Sequence, residues 1–373
     1  MVVRRIFSRD DTMIVKGVTL LFLLFHHCFL KGRFEEFGVI FFPFPEKYMV
    51  ILAAFLKICV GMFVFLSGYG MIRSYNHRLK KNPNYTLKEY VVDRYFSLWN
   101  KWFFVFLFCQ IFCFVASRLQ FNVYGKGSYP ILYFIIDALG FADFFETPLL
   151  IATWWYMSLA FCIILIFPLI VVIYKKIGVY IIPLTLVTYK LVSEIYFPLG
   201  RWLFAFVLGI YCADHFIFER LKQKNITNNV AISKLIKFII LTLLFITFIR
   251  FRQGKGNYIY YSFNDRFIPM FVIYYCYEFV NDIKYLNNVL KFIGEHSMNI
   301  FLTHSFIRAT YFEYWTYHFQ YWWLIILVLL IESILVSIVI EWLIKTLHYD
   351  KLMLSLKKRI LSLFSRRREG NLQ

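Results

Sequence analysis

Blocks of consecutive apolar residues recur along the whole chain and constrain its fold more than any other feature. Each block runs for about 15 to 25 residues, long enough for a helix to cross the ~30 Å hydrocarbon core of a bilayer. Of the 373 residues, 60% are hydrophobic, whereas about 45–50% is typical of a soluble domain. The pattern therefore predicts an all-α integral membrane protein. It disfavours a β-barrel, whose strands would be short and alternating.

We interpret the blocks as a bundle of about ten transmembrane helices with both termini in the cytoplasm. In this orientation the inner segments carry more than twice as many lysine and arginine residues as the outer segments, as the positive-inside rule predicts. The apolar segment 129–150 contains three acidic residues, so we expect a re-entrant or interfacial piece rather than an eleventh span. An eleventh span would also place the Arg-rich C-terminal tail outside. The predicted spans are 13–30, 51–73, 95–117, 153–174, 177–194, 200–217, 234–250, 266–282, 292–309 and 321–344.

Composition divides the chain into a membrane domain over 1–345 and a basic tail over 346–373. The tail has the pattern of an amphipathic helix, which we expect to lie along the inner leaflet. The net charge of +19 comes mainly from loops at the ends of spans, so it indicates contact with membrane lipids and not with nucleic acid. The seven cysteines lie within or beside predicted spans without a C-x-x-C pair, so we expect buried free thiols and no metal site.

The first apolar block, "KGVTLLFLLFHHCFLKGR" (16–33), carries polar residues that are costly inside a bilayer. Lys16 and His27 are eleven residues apart, which places them within about 20° of the same helix face and ~16 Å apart along the axis. His26 is rotated by about 100° from that face, so we expect it to pack or cap locally. A lysine can hold a phosphate and a neutral imidazole can act as a general base. The alternative is that Lys16 snorkels to headgroups and His27 hydrogen-bonds a neighbouring helix.

The pattern Lys16-x10-His27 resembles the first helix of the membrane acyltransferase-3 family. The resemblance continues in order over about residues 10–345 and makes an ordered set that is fairly specific. Its other parts are "VGMFVFLSGYGMIRS" (60–74), "LKEYVVDRYFSLWNKWF" (87–103), "TWWYMSLAFCIILIFPLI" (153–170), "RWLFAFVLGIYCAD" (201–214) and "FIGEHSMNIFLTHSFI" (292–307).

This resemblance implies acyl transfer from cytoplasmic acyl-CoA, usually acetyl-CoA, to a hydroxyl of an extracytoplasmic polysaccharide or related glycan. It also implies a bacterial plasma membrane and no bound cofactor. His27 matches the family's catalytic histidine, and Lys16 matches the basic residue paired with it on the acyl donor. Arg94 matches the first arginine of an inner R-x-x-R motif, whereas the second position here is Ser97.

Three further residues are candidates for lining the site, and each has a structural alternative. Ser67 precedes Gly68 at the end of the second span, where helix packing is the alternative. His304 matches a histidine common in the family but could equally cap a helix at the interface. Trp155 could stack on a sugar ring or belong to an aromatic belt. Glu332 lies deep in the last span, where we expect a hydrogen bond within the bundle.

A transporter or flippase of a glycan or lipid-linked intermediate is the alternative function. It should show internal repeats and broken helices at matching positions of two halves, and we find neither in the sequence. A glycan polymerase should carry a large outer loop rich in arginine and acidic groups. The longest loop here, 118–152, is largely apolar instead. We therefore predict a membrane O-acetyltransferase, which acts on a cell-surface polysaccharide.

Overall fold

A computed structural model describes residues 6–30, 33–116, 123–125, 128–252 and 258–370, and within these ranges the chain is helical. The chain divides into two compact units, one formed by residues 1–86 and 168–332 and the other by 87–167 and 333–373. The helices are α1 Arg9–Phe29, α2 Arg33–Glu36, α3 Glu46–Phe55, α4 Cys59–Lys81, α5 Leu87–Val115, α6 Pro130–Ala138, α7 Trp155–Ile177, α8 Ile181–Val187, α9 Tyr189–Ile195, α10 Phe197–Asp214, α11 Ile217–Gln223, α12 Val230–Arg252, α13 Tyr258–Glu278, α14 Lys284–Glu295, α15 Ser297–Phe306, α16 Glu313–Tyr317, α17 Trp322–Thr346 and α18 Tyr349–Gly370.

Seven helical stretches among the described residues are long and apolar enough to cross a membrane, which identifies a multi-pass membrane protein. They coincide with seven of the predicted spans, so the all-helical membrane class is confirmed and the count of about ten is not. The seven stretches are Arg9–Phe29, Glu46–Lys81, Leu87–Val115, Ala152–Val187, Phe197–Asp214, Val230–Arg250 and Trp322–Thr346.

The other three predicted spans are not separate members of this set. The span predicted over 177–194 is interrupted at Gly178, whose φ is +58°, and again at Thr188, which separates two seven-residue helices. The span over 292–309 is divided at His296 between α14 and α15. The span over 266–282 falls on α13, which is not one of the seven. Apolar composition continues through the breaks at Thr188 and His296, so the sequence pattern did not indicate them.

The segment 129–150 contains only the nine-residue helix α6. At ~1.5 Å per residue this helix is about 14 Å long, too short to cross ~30 Å of hydrocarbon. Turns occupy most of 139–151. This agrees with the prediction that the segment is not an eleventh span.

In the first unit, several helices cross so closely that glycine is needed at the point of contact. A Cβ atom at Gly17 would overlap the carbonyl oxygen of Leu290, and one at Gly294 would overlap that of Met13. Both glycines are therefore needed where α1 crosses α14. Gly68 of α4 stands in the same way against the backbone of α10. The crossing with α14 fixes the position of α1 along its axis relative to its neighbour. Two of the predicted site residues lie on α1.

The start of α1 is fixed by its capping residues. Ser8 and Asp11 form a reciprocal capping box that supplies partners to the first backbone amides. Asp11 is buried and also accepts a hydrogen bond of 2.6 Å from the side-chain amide of Asn281. Before the helix, the amide of Phe7 donates to the buried carboxylate of Glu219 at 3.1 Å. The N-terminal end of α1 is thus tied to several elements of the first unit.

In the second unit, the beginning of the tail helix α18 packs against α5. The Tyr349 hydroxyl donates to the carbonyl of Asn100 at 3.1 Å, and the Asn100 amide donates to Asp350 at 3.0 Å. Lys357 forms an ion pair with Asp93. This end of the tail is therefore docked on the protein, while the expected contact with the inner leaflet stays a prediction.

Candidate functional site

Two predicted residues, His27 and His304, come together near the C-terminal end of α1. Their ring centroids are 5.0 Å apart, and the ring planes are inclined by 46°. His304 is completely buried, whereas His27 is half-buried. Arg308 follows His304 by four residues, and Lys57 lies in a short 3₁₀ turn, Leu56–Ile58, that packs against α1. The first unit thus places a pair of imidazoles and two basic side chains in one neighbourhood, called here the histidine site.

Backbone contacts fix the orientation and the tautomer of His304. Its Nδ1 lies 2.8 Å from the carbonyl oxygen of Phe301 and 3.1 Å from that of Ile300. Because a carbonyl oxygen only accepts, Nδ1 carries the proton and Nε2 of the neutral ring is an acceptor. The Ser305 hydroxyl lies 3.2 Å from Nε2, within reach to donate to it. His304 is therefore held rigidly beside His27.

The two adjacent histidines of α1 have different surroundings. Nδ1 of His26 lies 2.7 Å from the carbonyl oxygen of Ala53 on α3, and the ring is buried. The His27 ring makes no hydrogen bond to any described residue, and its ring contacts are His26 at 5.1 Å and His304 at 5.0 Å. His26 therefore joins two helices, and the nitrogens of His27 are available to exchange a proton with a bound molecule.

A π-helical turn follows α15 and carries Arg308 into the histidine site. The turn spans Ile307–Tyr311, and such turns are frequent at functional sites. The Arg308 guanidinium lies 3.5 Å from the Tyr317 hydroxyl, which donates to the carbonyl of Cys28 at 3.2 Å. Arg308 is therefore linked through Tyr317 to the residue that follows His27.

The remaining predicted residues lie in different parts of the chain. Lys16 is half-buried on α1 in the first unit, and Arg94 is exposed on α5 in the second unit. The Ser67 hydroxyl donates to the carbonyl of Phe63 in its own helix at 2.9 Å, next to the tightly packed Gly68. Trp155 begins α7 and contacts Tyr156, with ring centroids 6.1 Å apart. Their functional roles stay predictions.

Ser97, at the departure from the R-x-x-R pattern, lines a cavity of about 310 Å³ in the second unit. Lys357 and Asp93 line the same cavity and pair with each other. Lys88 and Lys101, the nearby lysines in sequence, are exposed. The tail helix therefore contributes a cation, Lys357, to the cavity that Ser97 lines, which the sequence pattern did not indicate.

Sequence reasoning did not assign Arg308, Lys57 or Tyr317 to the histidine site. Arg308 follows His304 by four residues, a spacing that places two side chains on one helix face, so this signal was present. Tyr317 lies on the short helix α16, and nothing in the sequence indicated its contact with Cys28. The expectation for Glu332 is confirmed, because it accepts a hydrogen bond of 2.9 Å from Thr316.

The structure describes all seven cysteines as buried free thiols, as predicted. Within the described ranges, no group of three or more histidine, cysteine or acidic side chains is placed to hold a metal ion.

One comparison with known proteins gives a match. A family model described as an acyltransferase domain matches residues 13–342, nearly the whole chain. No curated protein and no solved structure matches the chain. The ordered sequence resemblance is thereby confirmed, and the histidine site lies inside the matched region.

Proposed function

The chain belongs to this acyltransferase-3 family, and we propose that it transfers an acetyl group from cytoplasmic acetyl-CoA to a hydroxyl of an extracytoplasmic polysaccharide. The observation that carries the proposal is the state of His27. Its ring is half-buried, lies beside a rigid second histidine and makes no hydrogen bond to any described residue. A general base needs such an available nitrogen close to where substrate binds.

In this reaction His27 removes the proton of the acceptor hydroxyl as its oxygen attacks the thioester carbonyl. A neutral imidazole suits this role near neutral pH, whereas lysine and carboxylates need strong tuning. His304 positions the His27 ring and excludes solvent from one side of it. An alternative route, in which His27 itself accepts the acetyl group, uses the same nitrogen and the same thioester.

The donor enters from the cytoplasmic side, where Lys16 binds a phosphate of CoA, and a role of Arg94 in donor binding stays a prediction. Lys16 lies eleven residues before His27 on α1, which places it ~16 Å away along the axis. The pantetheine arm of CoA is long enough to cover this distance. The basic side chains of the loops and of the tail contact anionic lipid headgroups. The proposal includes a bacterial plasma membrane as the host membrane, as the family resemblance implies.

A transporter or flippase of a glycan or lipid-linked intermediate is the second candidate. The interruptions at Thr188 and His296 favour it, because transporters bind substrates at broken helices. The acetyl-CoA requirement separates the two functions. A transporter should move glycan without consuming a thioester.

The test is the His27→Ala variant, compared with His77→Ala, which removes an exposed histidine of α4. Full-length protein is produced in cells that lack it, and NMR of their surface polysaccharide measures the acetyl methyl signal. We expect the signal with the wild type and with His77→Ala and its loss with His27→Ala, at equal amounts of protein in the membrane. An undiminished signal with His27→Ala would exclude His27 as the base. No binding of acetyl-CoA by the purified wild type would favour the transporter.

A further inference from the structure

Arg308 is a half-buried cation that lacks an acidic partner. Within the described part of the chain it forms no ion pair, and its Nε is buried without a hydrogen-bond partner. Several other basic side chains of the first unit do form ion pairs, including Arg201 with Asp265 at 3.0 Å and Lys237 with Glu278 at 3.2 Å. An unpaired cation inside a membrane protein is costly, so its presence beside His27 needs an explanation other than packing.

The position of Arg308 is set by its place on a helical turn and by its contact with Tyr317. It follows His304 by four residues and lies on the π-helical turn Ile307–Tyr311. Its Nη1 lies 3.5 Å from the Tyr317 hydroxyl, which in turn bonds the carbonyl of Cys28. His304, four residues before Arg308, packs against the His27 ring with centroids 5.0 Å apart. A guanidinium is thus fixed next to the proposed base before any substrate arrives.

We propose that Arg308 is a catalytic residue that stabilises the oxyanion formed on the thioester carbonyl during acetyl transfer. The inference rests on the proposed function. His27 takes the proton of the acceptor hydroxyl, the C–O bond forms, and the carbonyl electron pair moves to oxygen. Arg308 donates hydrogen bonds to that oxygen. When the C=O bond re-forms, the C–S bond breaks and the CoA thiolate takes the proton from His27.

The chemistry favours Arg308 for this role for two reasons. A preorganised donor aimed at developing negative charge is worth most where water is excluded, and the Nε end of the Arg308 guanidinium is buried. A guanidinium also keeps its charge beside other cations, whereas an ammonium group loses its proton more readily on burial. Tyr317 orients the guanidinium and is a positioning residue. A purely structural Arg308 would stabilise the fold through Tyr317 without affecting turnover.

The test measures release of the CoA thiol by purified full-length protein, supplied with acetyl-CoA and the unacetylated polysaccharide isolated from cells that lack the protein. For Arg308→Ala we expect turnover to fall about 10²–10³-fold, with the KM for acetyl-CoA within about threefold of the wild type. Added guanidinium ion should raise the turnover of Arg308→Ala at least tenfold, whereas the same concentration of sodium chloride should not. Rescue by guanidinium requires a vacated cation site at the reaction.

The matched control is Arg78→Ala. Arg78 likewise donates to a tyrosine hydroxyl, that of Tyr85 at 2.6 Å, but it lies near the end of α4, away from the histidines. We expect this variant to keep wild-type turnover. If Arg308→Ala does not fold, the Arg308→Lys variant tests the role of Arg308 in its place. We expect its turnover to be about tenfold slower than that of the wild type at unchanged KM.

Two results would overturn the assignment of Arg308. One is wild-type turnover in the folded Arg308→Ala or Arg308→Lys variant, and the other is a change in KM alone. Failure of the proposed function gives a different pattern. If neither the wild type nor any variant releases thiol from acetyl-CoA, acetyl transfer itself is excluded. If His27→Ala is inactive while Arg308→Ala is fully active, only the role of Arg308 is excluded.

Discussion

The two ends of α1 use polar residues in opposite ways. At the N-terminal end, Ser8, Asp11 and Asn281 form a connected set of hydrogen bonds, and Glu219 holds the preceding backbone. At the C-terminal end, His27 makes no hydrogen bond to any described residue, although His26 beside it does. One end of α1 therefore carries polar groups that hydrogen-bond one another, although Asn281 Oδ1 and Glu219 Oε2 have no partner among the described residues. The other end carries a histidine whose ring bonds no described residue.

This difference distinguishes structural from functional polarity more clearly than residue type does. Buried polar groups cost free energy unless they are hydrogen-bonded, so most of them are satisfied inside the fold. A group that escapes this rule beside a rigid neighbour is a candidate for chemistry. On this criterion His26 is structural and His27 is functional, although the two are adjacent in sequence and identical in type.

The largest expected effect separates these two histidines. His27→Ala should lower acetyl transfer about 10³-fold, because it removes the proposed general base, while the melting temperature changes little. His26→Ala should mainly lower the melting temperature, because the buried carbonyl of Ala53 loses its donor. Thiol release and thermal unfolding in detergent measure the two effects. If both variants lost activity equally at equal stability, hydrogen bonding would not distinguish their roles.

The next effect concerns the crossing of α1 and α14. Gly294→Ala should destabilise the protein by about 1–3 kcal/mol, because the added methyl group overlaps the Met13 backbone. The control is Gly70→Ala, since no described atom lies within 4 Å of a Cβ at Gly70. This second variant should be neutral or slightly stabilising. Equal melting temperatures for the two variants would contradict the close crossing.

A smaller loss is expected at the N-terminal network. Glu219→Gln should destabilise the protein by about 1–2 kcal/mol, because hydrogen bonds to a charged acceptor are stronger than those to a neutral one. Its partners are the Phe7 amide and the Tyr69 hydroxyl. Thermal unfolding measures the change, and proteolysis of the N-terminal segment reports its release. An unchanged proteolysis pattern would show that Glu219 does not hold this segment.

The smallest effect is expected for the tail. Lys357→Ala removes an ion pair with Asp93 in which both side chains keep about a quarter of their surface exposed. Such pairs contribute about 0–1 kcal/mol and weaken with salt. The measurement is thermal unfolding of the full-length protein at low and high salt. A loss above about 2 kcal/mol would mean that the tail is as firmly integrated as the N-terminal network.

The sequence was sufficient for the class of fold and for part of the site. Apolar block length predicted helices that cross a membrane, and helical phase separated His27 from His26. The ordered motifs identified the family. These features are local, since they depend on residue type and on spacing within one helix. The count of about ten spans is not confirmed, and the backbone breaks at Thr188 and His296 within two predicted spans were not visible in the composition.

The sequence by itself thus determined an all-helical membrane acyltransferase-family protein and a polar face on its first helix. Only the tertiary structure decided which polar groups are satisfied, that His304 lies against His27, and that Arg308 joins them through Tyr317. The hydrogen bond from Tyr317 to Cys28, for example, joins residues 289 positions apart. Such contacts follow from how helices cross and where they break, and no local pattern encodes them.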